Sequence, residues 1–564
     1  MIRKIFRKNK IKNANFFVEP DEIFLDSKNL ENFDRQQFEG RIEKPISKRS
    51  VLLIGISFAL LVFIFYGRLL YLQVAKGQEF LNRSENNILE KQVILADRGI
   101  IYDRNKIELV WNKKDENFPT SIRSYLSPGF SHLLGYVSYP MQDKTGNYWQ
   151  SKFIGKDGLE KEYDSALRGE NGSKVVETDA RGEIHSENIV NAPIRGKDLI
   201  TTIDSRVQEE LFKLIKNLSE SNSFSGGAGI LMDVRNGEIL SSVSYPEYNS
   251  EVLSFGKDSE TIKNYLTDKR KVFLDRTLSG LYTPGSIVKP FFAIGALTEG
   301  VIDPYKKILS TGSISIPNPY FPGQKSVFKD WRAQGWVDMI DALAVSSDVY
   351  FYEIGGGFES QKGLGIVNIE KYAQMFGIGE KTGVDMPDEK EGVIPSPLWK
   401  IKNFNGEPWR IGDTYHTAIG QYGFQVTPLE MARAVGAMAN YGTLITPHFI
   451  LGDKEKENTT QKIDLAKKDF DIVHEGMRES VLRGTSVALN VPYVKVASKT
   501  GTAQLGINKK KVNSWIIGFF PYDNPKYSFA IMMEAGPSGG SIGASSIMRG
   551  LLDWISNNTP EYFQ

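Results

Sequence analysis

The distribution of apolar residues predicts an α+β protein carrying a single N-terminal membrane helix. Three observations carry the prediction: an uncharged apolar run from Ser50 to Gly67, a stretch of short alternating segments and turns from Lys76 to about Ile203, and two apolar strand pairs flanking a long helical region. With 564 residues the chain exceeds one compact core, which usually holds about 100 to 200 residues, so two or more domains are expected.

The run "SVLLIGISFALLVFIFYG" reaches the roughly 17 residues that a spanning helix needs, and Arg68 can snorkel while "LLYLQV" extends the apolar surface. It begins too far into the chain, and is too long, for a cleavable signal, and no A-x-A site follows it. A polar tail rich in Lys and Arg ("MIRKIFRKNKIK", "KPISKRS") precedes it, which by the positive-inside rule keeps residues 1–49 cytoplasmic and places everything after the anchor (50–74) outside. Residues 75–205 then read as a β-rich domain, as in "QVILADRGIIYDRNKIELVWN" and "GSKVVETDARGEIHS", with Gly, Asn and Asp as punctuation. Arg98 and Asp103 are read there as structural groups. Residues 206–564 form the α+β domain. Its first hairpin is announced by Asn236-Gly237, and its last strands are "SWIIGFFPY" and "YSFAIMME".

Lys and Arg number 69 against 68 for Asp and Glu, so no global charge attracts nucleic acid, and none is expected as a partner. The chain has no cysteine, which excludes disulfides, thiolate metal sites and a Cys nucleophile. Its histidines (132, 185, 416, 448 and 474) show no ligand spacing, so neither metal nor cofactor is expected.

Three short motifs carry chemistry. "YTPGSIVKPF" places Ser286 and Lys289 as S-x-x-K, "VSSDVYF" supplies Ser346 and Asp348 as S-x-D, and "VASKTGTAQ" supplies Lys499, Thr500, Gly501 and Thr502. At helical spacing Ser286 and Lys289 share a face, so the amine can take the hydroxyl proton while the oxygen attacks a carbonyl. That demands a neutral lysine, which burial and a second cation, Lys499, would favour. Ser346 is suited to relay the proton to a leaving amine. Asp348 lies within reach of Lys289, and its charge opposes the base role. The strand "YVKVASKTGTA" presents an edge to an extended peptide, with Gly501 permitting close approach and the Thr500 and Thr502 hydroxyls holding a carboxylate. A second K-T-G, Lys381 to Gly383, stands in an acidic, glycine-rich loop and is read as structural.

With these motifs go "RLLYLQV", "ADRGIIYDRN", "HLLGYVS", "GKDGLEKEYDSALRG", "TTIDSRVQ", "FKDW" and "AIGQYGFQVTPLEMA", and together they resemble the class B penicillin-binding proteins over nearly the whole chain after Arg49. "FKDW" and Asp348 make the likeness closest to the elongation type, with the division type as the alternative. The resemblance implies a β-rich pedestal and a transpeptidase domain, in which an antiparallel five-stranded sheet lies between helices beside a helical subdomain. It implies an acyl-enzyme on Ser286, formed at the penultimate D-alanine of a stem pentapeptide, with backbone N–H groups of Ser286 and Thr502 as the oxyanion hole. Implied partners are peptidoglycan stem peptides, β-lactams, the inner membrane, elongation-complex proteins and a lipid II polymerase of the shape, elongation, division and sporulation family. A serine β-lactamase would lack the pedestal and need an E-x-x-x-N segment, which is absent between the second and third motifs. A bifunctional class A enzyme would need a glycosyltransferase domain, and a β-lactam sensor an effector domain or several spans.

Overall fold

The computed structural model describes residues 47–564 apart from 87, 116–119, 145–147, 179–183, 453–458, 507 and 541. Of the expected cytoplasmic tail, positions 1–46 lie outside the described residues. The chain divides into two compact units, one reaching Glu90 and including Glu177–Ser186, the other comprising Lys91–Val176 and Glu187–Gln564.

In the first unit, helix α1 (Lys48–Leu70) starts at Ser47, whose hydroxyl accepts from Ser50 N, and runs through a π-helical turn, Tyr71–Ala75. Together they form 28 helical residues with no buried side chain, and an 18-residue stretch of them has a mean hydropathy of 2.4, so the helix is long and apolar enough to cross a membrane. A helix at Gly77–Asn86 follows, within a stretch read from sequence as strands and turns.

The second unit opens with a four-stranded sheet ordered Leu199–Ile200, Ile101–Tyr102, Glu108–Lys113, Ile122–Tyr125. Arg98 is buried there against Glu160 and Asp164, and Arg123 reaches the other Glu160 oxygen at 2.8 Å. Such buried charges are tolerable only when each is paired and hydrogen-bonded. Asp103 turns the chain by accepting from Asn105 N and Ile107 N, and its second oxygen accepts from the Ser205 hydroxyl at 2.8 Å.

The second part is built on five antiparallel strands, β1 (Gly226–Asp233), β2 (Ile239–Tyr245), β3 (Ala497–Leu505), β4 (Lys511–Phe520) and β5 (Tyr527–Pro537), ordered β2-β1-β5-β4-β3. Gly237, at φ 89°, closes the first hairpin. Helices α2 (Ser205–Ser221), α3 (Lys289–Thr298), α4 (Met339–Val345), α5 (Asp348–Gly356), α6 (Ile411–Ala418), α7 (Pro428–Ala439), α8 (Lys467–Arg483) and α9 (Ala544–Asn558) surround it. Strand period fixes which side chains meet which helices. Leu231, Ile516 and Ile531 share one core with Leu211 of α2 and Ile547 of α9, whereas their neighbours Ile230, Ile517 and Ala530 join the other core with Phe291 of α3 and Ala432 of α7. Each fully buried Leu or Ile contributes about 1.5–3 kcal/mol, so covering both faces makes the sheet a rigid platform. Its edge strand, β3, pairs with β4 and with no other strand among the described residues.

Candidate active site

Ser286 sits in a 3₁₀ turn, Gly285–Val288, that runs directly into α3. The turn is pinned from three sides. Gly285 N donates to Gly420 O at 2.9 Å, and the Trp515 indole N–H donates to Thr283 O at 3.0 Å. From the third side β3 presses in so closely that a Cβ on Gly501 would meet Pro284 O at 2.7 Å, and one on Gly285, at φ 60°, would meet Thr502 O at 3.0 Å. Glycine at both positions is therefore a steric requirement for bringing the turn onto the strand.

Lys289, one helical turn on, is fully buried and donates to Ser346 O at 2.9 Å, to Ser346 Oγ at 3.4 Å and to Asp348 Oδ1 at 2.6 Å. Lys499 reaches the same hydroxyl from β3, with Nζ 2.7 Å from Ser346 Oγ and 2.9 Å from Thr500 O. Four of the residues singled out in the sequence thus form one hydrogen-bonded network, while the Ser286 hydroxyl is not among the partners of Lys289. Burial first, and repulsion from Lys289 second, push Lys499 well below the ordinary lysine range, with the Asp348 carboxylate acting in the opposite sense. Of the two amines only Lys289 contacts the carboxylate, and Lys499, the amine that burial disposes to lose its proton, lies one hydroxyl away from it.

Ser346 ends α4 in the left-handed conformation, φ 59°, which aims its hydroxyl between the lysines at the cost of local strain. Asp330 holds this bend. One of its oxygens accepts from Ser347 Oγ at 2.7 Å, Val349 N at 3.1 Å and Ser310 Oγ at 3.1 Å. Its role was not readable from "FKDW", a motif visible in the sequence but attached to no chemistry. Also unforeseen are Gly420, and Thr485, which accepts from the Thr500 hydroxyl at 2.6 Å.

Along β3, Lys499, Gly501 and Ala503 point inward, whereas Thr502 and Gln504 are exposed and Thr500 is half-buried. The second K-T-G is engaged differently: Thr382 donates through both its N and its hydroxyl to Glu389, and Gly383 takes φ 79° in irregular backbone.

Residues 227–553 match the family model described as penicillin binding protein transpeptidase domain, and residues 118–201 match the penicillin-binding protein dimerisation domain. A curated relative, the peptidoglycan D,D-transpeptidase MrdA of Acinetobacter baumannii, is 31% identical over 456 residues, covering 75% of this chain and 64% of its own length. Among solved structures, PBP2 of Pseudomonas aeruginosa in complex with WCK 5153 superposes with a TM-score of 0.70 at 29% identity, over 84% of this chain and 100% of that one. PBP2 of Helicobacter pylori in its complex with MreC gives 0.68 at 27% identity, over 83% of this chain and 99% of that one.

Proposed function

This chain belongs to the penicillin-binding protein family, and from that premise we propose that it is an elongation-type peptidoglycan D,D-transpeptidase with Ser286 as nucleophile. The observation that carries the residue assignment is the buried Lys289–Ser346–Lys499 network, with its single carboxylate, beside the Ser286 turn and an unpaired strand edge.

The donor stem peptide lies extended along β3, its terminal carboxylate at Lys499, Thr500 and Thr502. Arrival of that anion favours the ammonium form of Lys499. The proton comes from Lys289 through the Ser346 hydroxyl, across contacts of 3.4 and 2.7 Å. Lys289 is left neutral to take the Ser286 proton as Oγ attacks the penultimate D-alanine carbonyl. Backbone N–H groups of Ser286 and Thr502 receive the oxyanion, Ser346 returns a proton to the departing D-alanine, and a neighbouring stem-peptide amine then accepts the acyl group. We assign residues 1–49 to the cytoplasm, 50–74 to the inner-membrane anchor, 75–205 to the pedestal and 206–564 to the extracytoplasmic transpeptidase domain. The likeness to the Helicobacter pylori complex with MreC supports elongation-complex proteins as partners, and a lipid II polymerase is proposed beside them on the sequence resemblance alone.

The test uses full-length protein in detergent with a fluorescent penicillin. One label per chain that persists while the free drug is not consumed is expected, whereas rapid turnover would make the protein a β-lactamase.

Asp348 sets the acidic limb of this acylation. Its carboxylate favours protonated Lys499 and pairs with Lys289, so an Asn, which keeps an acceptor oxygen but no charge, weakens proton binding by the network. A site that binds protons less tightly stays competent to lower pH. Asp348→Asn is expected to retain acylation with its acidic limb shifted downward, and Asp348→Ala to lose rate as well. An unmoved limb in rate-versus-pH profiles would remove Asp348 from the proton path.

A further inference from the structure

A transpeptidase binds two peptides, and the β3 edge accommodates one extended chain. A groove of about 690 Å³ lies along α6, walled by Tyr320, Phe328, Phe404, Trp409, His416 and Tyr422. Phe404 stacks on Tyr422 at 5.7 Å and Trp409 meets that ring edge-on at 5.8 Å, yet Tyr320 and Phe404 remain 54% and 40% exposed. Its charges are unevenly satisfied. Lys400 is neutralised by Asp413 at 2.6 Å and lies 3.8 Å from Glu407. The Arg410 guanidinium instead lies 4.3 Å over the Tyr320 ring, donates to its hydroxyl at 3.0 Å, and makes no ion pair among the described residues. An unpaired guanidinium among exposed rings is suited to a carboxylate on a partly apolar chain.

The elements that wall the groove also hold the chemistry. His416 packs on Phe328 at 5.3 Å, two residues before the Asp330 that holds the Ser346 bend, and α6 leads on to Gly420, whose carbonyl holds Gly285 N beside Ser286. An eight-residue helix is about 12 Å long, the span of three or four extended residues at about 3.3 Å each.

We propose that this groove binds the acceptor stem peptide, with Arg410 holding one of its carboxylates and the attacking amine directed past His416 toward the acyl-Ser286. The proposal rests on the transpeptidase reading, and the experiment separates the two. Full-length protein in detergent is first acylated with penicillin, which occupies the donor site, and is then titrated with a stem tetrapeptide bearing free carboxylates, followed by Trp fluorescence and calorimetry. Saturable binding is expected, weakened about tenfold by Arg410→Ala and equally by amidating the peptide carboxylates, with less loss in Arg410→Lys. The penicillin acylation rate of the Arg410 variants should match wild type, which also reports an intact fold. Arg332→Ala, which removes a cation stacked on Trp331 outside the groove, should leave binding unchanged. Absence of binding to the acylated protein, equal affinity in the Arg410→Ala variant, or indifference to amidation would overturn the groove assignment. Failure of wild type to acylate would instead overturn the reading on which it rests.

Discussion

Ser286→Ala is expected to abolish covalent labelling by penicillin while leaving the protein folded. The hydroxyl is the only group proposed to bond to the carbonyl carbon, so its removal leaves recognition by β3 without a covalent step. Stability should barely change. The turn around Ser286 is pinned through backbone atoms of Thr283 and Gly285, and the serine side chain is not what holds it. Were Ser286 only a helix-starting residue, its loss would cost about 1 kcal/mol and spare labelling, so gel fluorescence read beside a thermal melt distinguishes the two roles. Stoichiometric labelling of the Ala variant would refute the assignment.

The next largest effect is expected from Lys499→Ala, set against Lys381→Ala in the other K-T-G. Lys499 is fully buried, holds the Ser346 hydroxyl at 2.7 Å and is the cation proposed to receive the donor carboxylate. Its removal takes away the partner of the Ser346 hydroxyl and, on the proposed mechanism, both the proton path and the anion site. Acylation should fall by at least about 10²-fold, in the range seen when a positioned acid–base group is lost. Lys381 is exposed, in a loop whose threonine is bound by Glu389, and its truncation should change stability by no more than about 0.5 kcal/mol and acylation hardly at all. Second-order acylation constants for the two variants make the comparison, and the reverse ranking would mean that the wrong copy had been placed in the site.

Sequence and structure agree most closely where the physics is local. The apolar run around Phe58 reads as a spanning helix because its character depends on composition alone, and the first hairpin follows from Asn236-Gly237 because that turn needs a residue tolerant of positive φ. The inward position of Lys499 and Gly501, and the outward position of Thr502, follow from the two-residue period of a strand. Local detail departs in two places. Ser286 lies in a 3₁₀ turn ahead of α3, and β3 begins at Ala497, after the "YVKV" segment that alternation had extended it through. Both departures come from contacts with distant chain, since β3 and the Ser286 turn are shaped against each other.

By itself the sequence determined the long apolar helix, the α+β class, the three motifs and the placing of one K-T-G on a strand and the other in a loop, because each depends on residue type and short-range period. Only the tertiary structure decided the rest. β3 is an edge strand because β5 and β4 intervene between it and the first hairpin, an order with no local signature. Asp330 became the support of the Ser346 bend because three donors from separate segments converge on one oxygen. The sequence cast Lys499 as the fixed cation, whereas in the fold its burial pushes it well below the ordinary lysine range. Proton affinity depends on burial and on charges within a few ångströms, and neither quantity exists until the chain has folded.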